Sequence, residues 1–437
     1  MHPYSERRAR LAERMVSGVA VIATAPERTR NRDTHYGYRY DSYFHYLTGF
    51  SEPESVLVLV AGDTPRSILF CREKNLEREI WDGWRHGPDA AREKFGFDEA
   101  HTIGELDAKL PELIADQPRL HFVIGEDPAW DQRMMSALNA VRAQVRAGRR
   151  APSELLDIRQ PLDDMRLIKD LHEQTLMRQA ADISARAHRR AMLATRPGAM
   201  EYEIEAELLH EFRRSGSEAP AYGSIVAGGP NACVLHYVSN DAPLRDGDLL
   251  LIDAGCELHG YASDITRTWP VNGRFSGAQR DVYQLVLDAQ TAAFSAVKPG
   301  ARFIDYHDAA VRVLAQGMLD VGLLKGTLDE VMEKGDYRRH YMHRTGHWLG
   351  MDVHDAGEYR PRDGGPTEWR TLEPGMVLTV EPGCYIRPAD DTPEAFWNIG
   401  IRIEDDVIVT ADGCDIYTSA APKTIADIES LMAEARA

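Results

Sequence analysis

Cysteine, long apolar runs and positive charge are all scarce in this sequence of 437 residues. The five cysteines are odd in number, widely spaced and form no C-x-x-C pair, which argues against a disulfide framework or a thiolate zinc site and favours a reducing cytoplasm. No stretch approaches the roughly 18 apolar residues that a membrane helix needs. Lys and Arg number 51 against 69 Asp and Glu, which gives a net charge of -18. Such an acidic chain lacks the charge that attracts nucleic acid or an anionic membrane, but it can concentrate cations.

The N-terminal segment shares two features with a secretory signal peptide. Arginines precede the apolar run Met15–Ala25, which ends in small residues that resemble a cleavage site. Two glutamates nevertheless interrupt the basic region, and a Ser-Gly pair interrupts the apolar run. We therefore predict a short helix that ends near Gly18, followed by a buried strand over Val19–Thr24.

The first third of the chain alternates β-rich apolar runs with helical patterns, which is typical of an α/β domain built on a central sheet. The apolar runs are Ser55–Ala61, Ser67–Cys71 and Leu120–Gly125, and the helical patterns lie near Ala90–Phe95, Ile103–Ala115 and Trp130–Ala147. The segment Ala147–Pro161 is rich in arginine and proline and predicts an exposed linker. We predict an N-terminal domain of residues 1–164 and a C-terminal domain of residues 165–437.

The remaining chain begins with helices and then changes in texture. A long helical pattern covers about Asp164–Thr195, and a second covers Tyr202–Arg214. From Tyr222 onward, short strands alternate with glycines and prolines, and further helices are predicted near Gly277–Val297 and Tyr306–Val321. Histidines and paired acidic residues gather in this part of the chain, so we expect the functional site there.

A predicted β-hairpin brings two aspartates together. The strand-like runs Asp248–Cys256 and Tyr261–Trp269 flank the turn-like segment Glu257–Gly260. A turn centred in that segment pairs Asp253 with Asp264, with their Cβ atoms roughly 4.5–5.5 Å apart. Two carboxylates at that distance need a shared proton or a cation. The alternative, a pair of exposed loop acids, agrees poorly with the apolar residues around both.

Two further strands carry acidic residues. The stretch Asn398–Val409 alternates with period two and places Arg402 and Glu404 on one face, a pattern that a solvated sheet edge shares. The stretch Val377–Gly383 is an apolar strand that ends at Glu381, and the end of a buried strand is a common place for a site residue. Each of the two patterns is a weak signal by itself.

Four histidines fall within the sixteen residues His340–Asp355. They are His340, His343, His347 and His354. The spacing of His343 and His347 resembles that of helical zinc proteases, but Arg344 stands where that motif needs glutamate, and two glycines make a helix doubtful. A fifth histidine, His236, lies at a predicted strand end, where a hydrogen-bonded surface histidine is the alternative.

Two Asp, two Glu and one His in a single domain form a hard, oxygen-rich donor set. Such a set suits Mn²⁺, and less naturally Zn²⁺ or Co²⁺. Four carboxylates over-neutralise one divalent ion, so two metal ions bridged by carboxylates balance the charge better. The carboxylates of this set are Asp253, Asp264, Glu381 and Glu404, and the residue pattern by itself leaves open which histidine joins them.

The C-terminal part resembles the pita-bread metallopeptidases, a group that includes methionine aminopeptidase, prolidase and aminopeptidase P. The matching motifs are DAGCELHGYASDITRT with Asp253 and Asp264, GHWLG with His347, TVEPG with Glu381 and IRIED with Glu404. The stretches Tyr38–Val60 and Glu79–Pro88 resemble the amino-terminal domain of bacterial aminopeptidase P, which methionine aminopeptidase lacks. The resemblance implies an α/β N-terminal domain and an α+β C-terminal pita-bread catalytic domain of the creatinase/aminopeptidase type.

The resemblance also implies a role for each candidate residue. Asp264 and Glu404 would bridge two metal ions, Asp253 would bind one ion, and His347 with Glu381 would bind the other. A metal-bridging hydroxide would attack the scissile carbonyl while Glu381 carries its proton. The implied supporting residues are His354 at the developing oxyanion, His236 closing the substrate pocket, His343 beside the proline, Arg402 holding the carboxylates, Tyr385 and Asp405 behind them, and Trp81 reaching a neighbouring subunit.

The activity that the resemblance implies is release of the N-terminal residue from peptides with proline in second place, by a homo-oligomer, either a dimer or a tetramer. No nucleic acid or membrane partner is expected. The nearest rival is a prolidase of the same fold, which cuts only Xaa-Pro dipeptides. A rival of another class is a non-catalytic peptide-binding module, which the presence of all five ligand positions disfavours.

Overall fold

The computed structural model describes residues 3–434 and divides into two compact units. The first unit ends at Met165 and the second begins at Arg166. The domain boundary predicted between residues 164 and 165 lies one residue from this division. Within residues 3–434, no helix combines the length and the apolar character needed to cross a bilayer.

The first unit is built on a six-stranded mixed sheet with the strand order β6-β5-β4-β1-β7-β8. The strands of the unit are β1 Gly18–Ala23, β2 Thr29–Asn31, β3 Thr34–His35, β4 Val56–Ala61, β5 Arg66–Cys71, β6 Glu99–Thr102, β7 Arg119–Phe122 and β8 Glu154–Asp157. The helices are α1 Pro3–Met15, α2 Ser42–Thr48, α3 Leu76–Asp82, α4 Gly87–Phe95, α5 Leu106–Ile114, α6 Pro128–Arg142 and α7 Arg159–Leu167, which continues into the second unit. Central strands β1 and β4 are buried along almost their whole length, as expected for strands that are covered on both faces.

The exposed linker predicted over Ala147–Pro161 is wrong in its second half. Strand β8 forms there and pairs in parallel with β7, so that Leu120 lies opposite Leu155. Its residues are intermediate to exposed because β8 is the last strand of the sheet. An edge strand of this kind carries no alternating apolar pattern that would distinguish it from a linker.

The second unit combines long helices with several small antiparallel sheets around one extended apolar core. Its helices are α8 Leu171–Ala194, α9 Glu201–Arg214, α10 Gly277–Ala296, α11 Asp305–Asp320, α12 Leu328–Lys334 and α13 Ile425–Glu434. Its strands are β9 Ala219–Pro220, β10 Ile225–Gly228, β11 Leu249–Asp253, β12 Cys256–Leu258, β13 Tyr261–Ala262, β14 Thr266–Pro270, β15 Val377–Val380, β16 Gly383–Ile386, β17 Ile399–Arg402, β18 Asp405–Val409 and β19 Cys414–Ile416.

The single helix predicted over Asp164–Thr195 is two helices. Helix α7 ends at Leu167, and Ile168 then forms an isolated antiparallel bridge with Met376. Asp170 caps the next helix, because its side chain accepts a hydrogen bond from the backbone N–H of Glu173 at 2.9 Å. A carboxylate at that position begins a new helix by satisfying free backbone donors.

The hairpin that was predicted to pair Asp253 with Asp264 forms in another register. Strands β11 and β14 pair Asp253 with Thr266, and β12 and β13 continue the ladder to a two-residue turn at His259 and Gly260. Both turn residues have positive φ, 50° and 79°, as a tight type I′ turn requires. The predicted longer turn is therefore wrong, and Asp264 lies just before β14.

The single strand predicted over Asn398–Val409 is two strands in different sheets. Strand β17 pairs with β16, whereas β18 pairs with β15 and β19. Ile403 and Glu404 lie in the break between them. The helical zinc-protease arrangement that the sequence excluded is also absent here, because the segment from Tyr341 to Gly350 contains no helix in the structure.

Candidate metal centre

Nine of the predicted site residues line one cavity of about 1160 Å³ in the second unit. They are the five candidate ligands together with His236, His343, His354 and Arg402. The cavity also contains aromatic and aliphatic side chains, among them Ile225, Leu235 and Val238. A concave, largely apolar cavity with a few convergent polar groups is the usual form of a small-molecule or peptide site.

Three of the candidate ligands form a tight group. Asp264, His347 and Glu404 each offer a ligand atom, and these atoms all lie within 4.8 Å of one another. His347 Nε2 lies 3.5 Å from Asp264 Oδ2 and 3.7 Å from Glu381 Oε1. Glu381 follows directly after strand β15 and adds a fourth candidate ligand to the same group.

Asp253 joins the group through two neighbours. Arg402 Nη2 donates to Asp253 Oδ2 at 2.6 Å, and the Tyr222 hydroxyl lies 2.6 Å from Asp253 Oδ1. The same hydroxyl also bonds Asp264 Oδ1, so one phenol holds both aspartates. Sequence analysis missed Tyr222, since a tyrosine in a loop just before β10 carries no motif of its own.

Burial and mutual repulsion disturb the titration of these acids. Burial raises the pKa of Glu381 to about 7, and burial with the charge of Asp264 raises the pKa of Glu404 well above its usual value. Burial and the neighbouring Asp253 also raise the pKa of Asp264. Burial opposes the charged form of Asp253, but Arg402 and the hydrogen bond from Tyr222 act together to lower the pKa of Asp253. Burial opposes the charged form of His347, but Asp264 and Glu381 raise its pKa to about 9.

These shifts test whether divalent cations fit the site. The four carboxylates share one cavity, in which Asp264 and Glu404 are buried and Asp253 and Glu381 are half-buried. Among residues 3–434, Arg402 is the lining guanidinium that bonds a candidate ligand side chain. A cluster of buried like charges is costly unless protons or cations neutralise it. The donors are oxygen atoms and one imidazole, so the residues fit hard divalent ions.

Backbone and hydroxyl contacts orient the ligands. His347 Nδ1 lies 2.9 Å from the Trp348 carbonyl oxygen, an arrangement that leaves Nε2 to face the carboxylates. Thr266 Oγ1 donates to Glu404 Oε2 at 2.6 Å, and Thr379 Oγ1 lies 3.4 Å from Glu381 Oε1. Partners of this kind fix the orientation of metal ligands and adjust their basicity.

The other predicted histidines occupy different environments. The ring of His354 lies 4.2 Å from that of His347, and burial lowers the pKa of His354. His343 Nε2 lies 2.9 Å from the Tyr385 hydroxyl, and burial with Arg402 lowers the pKa of His343 to about 3. His236 lines the cavity from a turn, so its predicted place at a strand end is wrong.

The fourth histidine of the 340–355 segment lies outside the cavity lining. His340 is buried, and its Nδ1 lies 3.3 Å from the backbone oxygen of Tyr385. Burial lowers its pKa. His340 therefore supports the strand that carries Tyr385 and does not reach the ligands.

A buried ion network lies behind the ligands, and part of it escaped sequence analysis. Asp405 accepts hydrogen bonds from Arg267 at 2.6 Å and from Lys423 at 2.7 Å. Asp406 Oδ2 accepts the backbone N–H of Asp264 at 3.0 Å. Asp405 therefore ties β18 to β14 itself, and Asp406 ties β18 to the segment that precedes β14.

Trp81 lies in the first unit on helix α3, where its side chain is 84% exposed. Its predicted contact with a neighbouring subunit stays a prediction.

The five cysteines, which gave no metal or disulfide pattern in the sequence, are all free thiols in the structure.

Comparison with known proteins identifies the family. The model of metallopeptidase family M24 matches residues 175–411, and the model of the aminopeptidase P N-terminal domain matches residues 4–122. An Xaa-Pro aminopeptidase of Haemophilus influenzae is 46% identical over 431 residues, which are 98% of this chain and 96% of the relative.

Two solved structures agree with the architecture. The aminopeptidase PepP of Pseudomonas aeruginosa is 50% identical with a TM-score of 0.97, covering 99% of this chain and 98% of that chain. A zinc-substituted aminopeptidase P of Escherichia coli in complex with product is 44% identical with a TM-score of 0.96, at the same two coverages. The predicted α/β N-terminal domain and C-terminal pita-bread domain are thereby confirmed. The chain belongs to metallopeptidase family M24, in the branch that carries the aminopeptidase P N-terminal domain.

Proposed function

We propose that the protein is an Xaa-Pro aminopeptidase, which releases the N-terminal residue from peptides with proline in second place. The observation that carries the proposal is the group of buried acids and His347 on one cavity, in a chain whose relatives of similar length bear that name. The chain matches those relatives through both units, and the N-terminal match favours an aminopeptidase.

The site is proposed to hold two divalent metal ions, most naturally Mn²⁺, with Zn²⁺ and Co²⁺ as the next candidates. Asp264 and Glu404 would hold both ions, Asp253 would hold one of them, and His347 with Glu381 would hold the other. When bound, such a pair of ions supplies Lewis acidity toward the scissile carbonyl and lowers the pKa of the attacking water. The excess of buried negative charge supports this assignment.

The side chains around the ligands are proposed to handle protons and to orient the substrate. Glu381 receives the proton of the attacking water and passes it to the leaving proline nitrogen. His354 donates a hydrogen bond to the scissile carbonyl oxygen, where negative charge develops. Arg402 holds Asp253 in place through its 2.6 Å hydrogen bond.

Proline specificity is proposed to come from the shape of the cavity. His343 packs edge to face against Tyr341 with ring centroids 4.8 Å apart, which gives a firm wall beside the proline ring. His236 closes the pocket, and the carboxylates of the centre attract the free α-amino group of the substrate.

The proposal extends to the cell and to assembly. Five free cysteines suit a reducing cytoplasm. The exposed Trp81 of helix α3 suits a contact between copies of the chain, so a dimer or tetramer is proposed. The substrate is the only partner proposed beyond these copies, without nucleic acid or membrane.

The test is a Mn²⁺-supplemented assay on Xaa-Pro, Xaa-Pro-Yaa and Xaa-Ala-Yaa peptides, with metal counted by mass spectrometry. We expect cleavage of Xaa-Pro-Yaa, two metal ions per chain, and loss of turnover in Glu381→Gln. His354→Ala should lower kcat while retaining the metal, whereas His210→Ala, an exposed residue of α9, is the matched control. Cleavage of dipeptides alone would make the protein a prolidase, and a chain without metal or turnover would make it a peptide-binding module.

A further inference from the structure

One wall of the cavity combines aromatic rings with two arginines. We call it the arginine wall and define it by Phe303, Tyr359, Trp369, Arg344 and Arg360, all of which line the cavity. The guanidinium carbons of Arg344 and Arg360 lie 5.3 Å and 4.7 Å from the centre of the Trp369 ring. Both distances are within the range of a cation–π contact, so one indole holds two positive charges at the cavity surface.

The aromatic part of the wall is held by the core of the unit. Phe303 packs against Tyr359 with ring centroids 4.7 Å apart and lies nearly parallel to Trp369 at 6.4 Å. Tyr359 stacks at 5.6 Å on Trp348, which is fully buried. The wall is therefore a firm apolar surface. Binding a ligand side chain there does not have to order the side chains of the wall, so that entropy cost is avoided.

The acidic lining residues nearest to the arginine wall along the chain are paired with basic side chains, whereas Asp308, an acid that interacts with Arg344, lies outside the cavity lining. Asp355 bonds Lys169 and Arg166 at 2.9 and 2.6 Å, and Glu358 bonds Arg362 at 2.7 Å. Across residues 3–434, no carboxylate lies within 4.0 Å of the Arg344 or the Arg360 guanidinium.

Among the described residues, the Arg360 guanidinium donates a hydrogen bond to the carbonyl oxygen of Pro366, which is a neutral acceptor. The nearby His307 adds no charge at neutral pH, because burial and the neighbouring Arg344 lower its pKa to about 4. The wall therefore presents a net positive charge toward the cavity.

The arginine wall begins close to the metal centre. Arg344 precedes the candidate ligand His347 by three residues, so their Cα atoms are at most about 11 Å apart. The segment between them is fixed, because Thr345 bonds His307 at 2.8 Å through its hydroxyl and accepts the backbone N–H of Glu381 at 2.8 Å. The two or three residues of an extended peptide that follow a scissile bond cover roughly 7–11 Å, which is within that limit.

We propose that the arginine wall is a subsite for the part of the substrate that follows proline, and that it selects an aromatic or large apolar residue accompanied by a carboxylate. The inference rests on the proposed aminopeptidase function and adds a preference that the function does not require. The apolar side chain packs on Phe303, Tyr359 and Trp369, while Arg344 and Arg360 bind the carboxylate by charge-assisted hydrogen bonds. The carboxylate is either the C-terminus of a tripeptide or an acidic side chain.

The test compares kcat/KM for Ala-Pro-Phe as free acid with kcat/KM for its C-terminal amide. A second pair, Ala-Pro-Glu amide and Ala-Pro-Gln amide, distinguishes an acidic side chain from a free C-terminus. We expect the wild type to prefer at least one carboxylate-bearing member by about tenfold, mainly through a lower KM. The variant Arg344→Gln/Arg360→Gln should reduce that ratio to about one, and Arg360→Glu should reverse it.

Arg339→Gln is the matched control, because Arg339 is an exposed arginine paired with Asp391, and both residues lie outside the cavity lining. It should keep the wild-type ratio between acid and amide. An unchanged ratio in the double variant, or a wild type that cleaves all four peptides equally, would overturn the subsite. Failure of the proposed function is a different result, in which the wild type cleaves none of the four.

Discussion

At the scale of single residues, Arg402 fixes the position of the candidate ligand Asp253. It is buried, and its three nitrogens reach Asp253 at 2.6 Å, the Tyr385 hydroxyl at 2.9 Å and Thr266 Oγ1 at 3.2 Å. Lysine keeps the charge but cannot make three directed bonds from a planar group. We expect Arg402→Lys to weaken Mn²⁺ binding or activity about 10- to 100-fold.

Metal titration by calorimetry measures the affinity of Arg402→Lys directly. Arg387→Lys is the control, since Arg387 is an exposed arginine of the same sheet region that donates to the Cys233 carbonyl oxygen at 2.7 Å. Equal Mn²⁺ affinity in the two variants would show that charge alone, without the guanidinium fork, suffices at this position.

Asp405 makes the stability of the second unit depend on pH. Burial opposes its charged form, but Arg267 and Lys423 outweigh burial and lower its pKa from 3.8 to about 2. The folded pKa is depressed, so the unfolded state binds the proton more readily and folding gains stability from Asp405 above about pH 4. That gain is lost as the pH falls from about 4 to about 2.

Asp405→Asn should therefore lower the free energy of unfolding at pH 7 by about 3–5 kcal/mol, because it leaves Arg267 buried without its counter-ion. Urea unfolding at a series of pH values measures the difference between the variant and the wild type, which should shrink below pH 4. Asp412→Asn, on an exposed turn, should show little difference at any pH. A difference that stays constant down to pH 2 contradicts the ion-pair explanation.

Sequence patterns identified side chains that stand in recognisable motifs and missed those that act through space. The five candidate ligands were found because each lies in a short motif, and the cavity brings all of them together. Tyr222 was missed because its partners Asp253 and Asp264 lie 31 and 42 positions away in the sequence. Arg267 was missed because its partner Asp405 lies 138 positions away. No local periodicity reports contacts over such separations.

At the scale of secondary-structure elements, the β11–β14 ladder depends on a close approach at Gly255. A Cβ atom there would lie 1.7 Å from the Ser263 carbonyl oxygen and 2.5 Å from its carbon, both of them backbone atoms. We expect Gly255→Ala to force the two strands apart, to lower the free energy of unfolding by about 1–3 kcal/mol, and to weaken metal binding through Asp253 and Asp264.

Thermal unfolding and metal titration of Gly255→Ala measure the two effects. Gly413→Ala is the control, because a Cβ atom at Gly413 meets no heavy atom within 4 Å and its φ is not positive. If both variants unfold at the wild-type temperature, the backbone at Gly255 is freer than the structure indicates.

The errors of the sequence analysis at this scale share one physical origin. Period-two patterns predicted strands correctly but gave neither their register nor their breaks, as the 398–409 segment shows. There the chain leaves one sheet after Arg402 and enters another at Asp405, so that Glu404 points from the break toward the other ligands. Tertiary contacts, not local alternation, decide where such a strand is interrupted.

At the scale of the whole molecule, alternation of strands and helices predicted the α/β character of the first unit well. The pita-bread arrangement of the second unit came from the resemblance, since small sheets with long helices are compatible with many topologies. The net charge of -18 predicted an affinity for cations but not where they would bind. Their proposed position follows from four acids that converge on one cavity.

Metal removal should therefore affect the two units differently. All five proposed ligands lie between residues 253 and 404, within the second unit. An ion present at about 100 times its dissociation constant stabilises the state that binds it by about 2.7 kcal/mol, and this corresponds to roughly 5–10 °C for a unit of this size. We expect EDTA to lower the unfolding temperature of the second unit by that amount, and Mn²⁺ to restore it.

Hydrogen exchange followed by mass spectrometry assigns the change to a unit. Peptides from β11, β14, β15 and β18 should exchange faster after EDTA treatment, because opening these strands becomes easier without the ions. Peptides from β1 and β4 in the first unit should exchange at the rate of the untreated protein. The variant Asp253→Asn/Asp264→Asn should respond to neither EDTA nor Mn²⁺, since it lacks two of the proposed ligands. A change confined to the first unit, or a full response in this variant, would place the ions elsewhere.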